Sequence, residues 1–165
     1  AKGVFVSAAD DVTIFGVNRI GTSTDSYLAL PQDALGTNYR VLGYRNGGVI
    51  RGSQFTIVGT VNGTVVTITP TVTTGARLAG VSYTTNLNAG DTYQLRNLTN
   101  STSADLSGTI ITATQPIAVF GGHRAPNIPY NVSSADFIVE QLPHSNGLQR
   151  RQRLYQRRAL YQPDS

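Results

Sequence analysis

Two histidines, nine carboxylates and no cysteine limit the chemistry open to this chain. Without Cys there is no disulfide, no thiolate nucleophile and no cysteine-ligated zinc or iron–sulfur centre. His123 and His144 are the only imidazoles. A metal centre needs further ligands around them, and a Ser-His-Asp triad needs a placed serine. His123 follows Gly121-Gly122 at a strand end, the place of a turn histidine bonded to backbone. His144 follows Pro143 in what reads as an exposed linker. Asp10-Asp11 lies between two strands, where a polar turn is expected ahead of a calcium loop. Glu140 stands in the apolar run Val139-Glu140-Gln141-Leu142, facing solvent or pairing with Arg124. Neither Glu140 nor the pair Asp25 and Asp136 makes the case for a glycosidase, which needs two acids facing across a cleft. Gly47-Gly48 and Gly121-Gly122 lack the Gly-Lys-Ser/Thr of a phosphate loop. Asn62, Asn97, Asn100 and Asn131 each open an Asn-x-Ser/Thr sequon, which matters only in a eukaryotic secretory host. Catalytic residues, metal ligands and cofactors are therefore all expected to be none.

The elements that hold these residues read as strands. The clearest unit is 53–61, then Asn62-Gly63, then 64–69. Asn-Gly between alternating runs predicts a type I′ hairpin. Its register would pair Ile57 with Ile68 and Gly59 with Val66, Phe55 sharing their apolar face. Shorter runs at 4–6, 12–17, 39–44, 81–87, 92–95, 109–113, 117–120 and 137–139 are punctuated by Asn88-Ala89-Gly90-Asp91, Gln115-Pro116 and Ala125-Pro126. Many short strands with frequent turn signals predict an all-β fold of antiparallel sheets, sandwich-like, with no helix in the body.

An internal repeat is visible. Residues 3–19 align without gaps to 108–124, with Gly, Ala, Phe, Gly and Arg identical. Both copies then reach an Asp (Asp25, Asp136), an apolar strand and Leu-Pro. The matched aspartates suggest a repeated turn or cap. The chain thus reads as about one and a half copies of a ~105-residue repeat. The expected division is 1–107 for the first copy, 108–145 for a partial second copy, and 146–165 for an Arg-rich tail. The partial copy would pack on the first or on a neighbouring chain.

Over 165 residues the net charge is +4, yet residues 1–145 hold eight Lys/Arg against eight Asp/Glu. The excess lies in Arg150, Arg151, Arg153, Arg157 and Arg158, so the basic character belongs to the tail. Nucleic acid is not expected as a partner. Charged residues make up 13%, with 17 Gly and abundant Thr, which suits an all-β surface protein. No apolar run approaches the ~18 residues of a membrane span. The absence of Met and of a leader fits a secreted chain with its leader removed, or an excised fragment.

Five motifs in order resemble a known family: Asp25–Pro31 with Leu35–Tyr39; Ser53–Phe55 with the Asn-Gly unit and Thr67–Pro70; Leu87–Leu95; Pro116–His123; and Val139–Pro143. Together, over roughly residues 3–143, they resemble the N-terminal domain of the IgGFc-binding protein, a module also found in bacterial extracellular proteins. The resemblance implies an extracellular β-rich module without known catalysis. It marks Gly121, Gly122, His123, Glu140 and Gln141 as motif residues of structural role. Where the family has a pair of Cys, this chain has Ala125 and Ala135, so that bridge is lost as a pair.

The expected function is a non-enzymatic extracellular binding or adhesion module, with a protein or glycan ligand on a cell surface or in a matrix. Its contact residues are not named by the sequence. The alternative is a structural subunit of a filament or matrix, a homo-oligomer built by strand addition, with Val4, Phe5 and Val6 as the assembly strand. An enzyme is the third and least supported reading.

Overall fold

The computed structural model describes residues 2–21, 23–47, 51–130, 132–133 and 135–145. The described chain is all-β and antiparallel. β1 (Phe15–Ile20) and β2 (Ser23–Leu28) form a two-stranded sheet. A second sheet holds β3 (Gly36–Arg40), β4 (Ser53–Gly59), β5 (Thr64–Thr69), β6 (Tyr83–Leu87), β7 (Thr92–Asn97), β8 (Ile110–His123) and β9 (Ile138–Leu142). Among these elements the one helical piece is a 3-10 turn, Gln32–Ala34.

β8 organises the second sheet. Its first part, Ile110–Ala113, lies between β5 and β3. Its last part, Ile117–His123, lies between β4 and β9. The 4–5 and 6–7 pairs each run as one path that turns a corner. β4 pairs with β7 while β5 pairs with β6. The sheet therefore curls into a half-barrel, and its bend falls at 60–63, 88–91 and 114–116.

This corrects the hairpin expectation. β4 and β5 do not pair; both lie against β8. The Asn-Gly turn signal is real, but it makes a corner. Gly63 takes φ +70, with open space around a would-be Cβ, so the position asks for conformational freedom alone. Gly63 N donates to Asn88 Oδ1 (3.1 Å), and Ala89 N donates to Asn62 Oδ1 (3.0 Å). The side chain of each corner asparagine thus satisfies backbone in the other corner. Thr60 Oγ1 donates to the Pro116 carbonyl, tying in the third path. Pro116 is tolerated inside β8 because the ladder partners change there, and no N–H is needed.

The face pattern holds. Phe55, Ile57, Val66 and Ile68 point into the curl with Ile111, Ile117, Val119, Tyr39 and Leu106, all essentially buried. Each such side chain contributes roughly 1.5–3 kcal/mol by leaving water. The intervening Thr and Asn positions stay wetter. Two further expectations change. Residues 4–6 form no strand, and β3 starts at Gly36, earlier than the run at 39–44. The expected runs at 109–113 and 117–120 are one strand, β8.

Candidate binding surface

The Gly-Gly-His motif closes β8 against two backbones. A Cβ on Gly121 would sit 1.9 Å from the Leu42 carbonyl oxygen, and one on Gly122 would sit 2.1 Å from that of Ile138. Only glycine admits both approaches. His123 follows, fully buried. Its Nδ1 accepts from Ala125 N (3.1 Å), so Nε2 carries the proton and donates to Asn46 Oδ1 (2.8 Å). The same oxygen accepts from Gly52 N and Ser53 N, while Asn46 Nδ2 donates to the carbonyls of Asn97 and Thr99. Burial pulls the His123 pKa down to about 4, with Asp105 opposing weakly. The ring is neutral at pH 7 and both nitrogens are engaged. It serves as a buried joint between strand end and loop, with no nitrogen left for a metal or a proton transfer.

Each of the two matched aspartates holds the strand that the other precedes or sits in. Asp25 Oδ2 accepts from Val139 N (2.7 Å), at the start of β9. Asp136 Oδ1 accepts from Ser23 Oγ (2.6 Å) and Thr24 N (3.0 Å), at the start of β2. Each carboxylate also accepts from the backbone N–H of the residue that follows it, Ser26 or Phe137. Ser23, Phe137 and Thr24 together hold the Asp136 carboxyl below its ordinary range. Gln141, buried, accepts from Leu30 N (2.9 Å) and completes the seam between β2 and β9. Glu140 is exposed in β9 opposite Gly121. It makes no ion pair with Arg124; among the described residues the ion pair present is Lys2–Asp91. His144, expected in an exposed linker, is instead half-buried, its ring edge-on to Tyr39 at 6.4 Å between centroids. Asn97 is buried, so its sequon cannot take a glycan in this fold.

What stays unused is apolar. On β1 and β2, Phe15 pairs with Leu28 across the strands, and Val17 lies beside them. All three are exposed, Phe15 by 66% and Val17 by 70%. Ahead of them Val4, Phe5, Val6 and Val12 are also exposed. β1 has no partner on its outer edge among the described strands.

The family described as IgGFc binding protein matches residues 25–150. The chain belongs to the IgGFc-binding family. No curated protein and no solved structure matches it. In this IgGFc-binding chain the match opens in β2, so the apolar segment 4–20 lies ahead of it. The segments carrying Ala125 and Ala135 run side by side, with Asn127 bridging to Ala135 and Asp136 N donating to the Pro126 carbonyl. The described residues hold no group of three or more His, Asp or Glu placed for a metal, and no helix long and apolar enough to cross a membrane. A shallow cleft of about 330 Å³ lies under the 71–79 loop, lined by Thr71, Thr73, Asn97, Thr99 and Ser103. The sequence reading missed the aspartate exchange, although the matched placement of Asp25 and Asp136 was its visible signal.

Proposed function

We propose that this IgGFc-binding family chain is a non-enzymatic binding module of an extracellular or cell-surface protein, and that its ligand is a protein. One observation carries the reading. His123, Asp25 and Asp136 are engaged within the fold, while Phe15, Val17 and Leu28 are exposed together on a hairpin. Such faces mark interaction sites. A glycan would look instead for the shallow cleft, where threonine and serine side chains alternate with Val72, Ala79 and Ala104. The test is surface plasmon resonance of the intact chain against the Fc fragment of IgG, the ligand in the family's description, and against matrix proteins. Saturable binding weakened at least ~10-fold by Phe15→Ser, with unchanged melting temperature, supports the reading. Binding that ignores Phe15, or binding to glycans alone, contradicts it.

A second reading is assembly between chains by strand addition. The exposure of Val4 (91%) and Phe5 (80%) favours it. Light scattering tests it: large species that collapse on deletion of residues 2–9 support it, and a uniform 17.6 kDa species contradicts it.

A further inference from the structure

Residues 4–14 are a β8 without a sheet. They align with 109–119, and the molecule itself shows what covers that second segment: the β4–β5 path on one edge and β3 with β9 on the other. The match extends to the inward face. Ile111, Ile117 and Val119 point into the core, and their counterparts are Val6, Val12 and Ile14. The bend matches too. β8 changes partners at 114–116, and the first copy bends at Ala9 and Asp10. Yet Val6 and Val12 are over half exposed, and no ladder takes up the segment.

The reason is that the chain has one such slot and two strands suited to it. In the second copy the larger Ile111 and Ile117 stand where the first copy has Val6 and Val12, and β8 fills the slot. Among the described residues the segment is tied at its two ends: Gly3 N donates to the Gly90 carbonyl and Lys2 pairs with Asp91 at the start, and Ala29 N donates to the Ile14 carbonyl where β1 begins.

We infer that residues 4–14 are a docking strand for another copy of this module, one whose β8 position is vacant, and that they enter it between its β4–β5 path and its β3. Pairing then runs serially, each copy's opening strand completing the sheet of the copy before it, as 109–119 complete the sheet of this chain. The inference rests on strand addition in the assembly reading but narrows it. A second molecule of this same chain offers no vacancy, because its own β8 occupies the slot. Simple self-polymerisation is therefore not required.

The test is a tandem chain in which a copy of residues 3–107 is placed directly before Gly3 of the full sequence. Amide hydrogen exchange is read in the tandem and in the single chain. Residues 5–14 of the internal copy should gain at least ~100-fold protection over the single chain, as the upstream β4 and β5 become protected with them. Val12→Asp should erase that gain in the tandem and leave the melting temperature of the single chain unchanged. The inference is overturned if internal residues 5–14 exchange as in the single chain. It is equally overturned if the upstream β4 and β5 stay unprotected, because their sheet was then not completed. Light scattering of the single chain is read separately: a monomer there removes the self-assembly reading and leaves the tandem result to decide the docking strand.

Discussion

A second proton on His123 has nowhere to go. Nδ1 faces the Ala125 N–H, so protonation sets donor against donor in a buried site. The pKa is about 4 in the fold against 6.5 for the free group. The unfolded chain therefore binds the proton more readily between those values. The stability this group contributes is fully present above pH 6.5 and is lost progressively as pH falls from there towards the folded value. Urea midpoints at pH 7.5, 5.5 and 4 should show this slope, and His123→Gln should flatten it. The neighbouring glycines make a sharper steric prediction. Gly121→Ala drives a methyl into the Leu42 carbonyl and should cost at least ~3 kcal/mol, whereas Gly63→Ala meets only its φ and should cost about 1 kcal/mol. Thermal unfolding of the two variants checks the contrast. At this scale the sequence was partly legible. His123 as a backbone-bonded histidine follows from its place after two glycines. Asn46, its main partner, was not legible, because it lies 77 positions away in a loop without pattern.

At the scale of elements, the alternation of apolar and polar residues located β4 and β5 and told which face is buried. It could not tell their partner. A period of two fixes the side-chain face, and Phe55, Ile57, Val66 and Ile68 would face the core in a hairpin or along β8 alike. The Asn-Gly pair marks a hairpin and a corner alike, because Gly63 adopts positive φ in either. What distinguishes a corner is the neighbouring path, and Asn88 supplies it from residues far along the chain. The corner is thus a cooperative unit. Asn62→Ala and Asn88→Ala should each lower stability by about 1 kcal/mol. A double-mutant cycle should give a coupling of at least ~0.5 kcal/mol, because each side chain holds backbone that the other positions. Additive losses would mean the two bends form independently.

For the whole molecule, β8 is the decisive strand. It comes late in the chain and lies at the centre of the sheet, so residues from early and late in the sequence share one core. The aspartate exchange between β2 and β9 repeats that interlocking at the surface. His123, Asp25, Asp136 and Gln141 hold this architecture together, and Phe15, Val17 and Leu28 of the β1–β2 hairpin face outward. The most direct check is a cross-strand nuclear Overhauser map of the isotope-labelled chain. The account predicts that Ile57 contacts Val119 on one side and Tyr93 on the other, while Ile68 contacts Ile111 and Tyr83. Backbone contacts between Ile57 and Ile68, with β8 absent from between their strands, would contradict it.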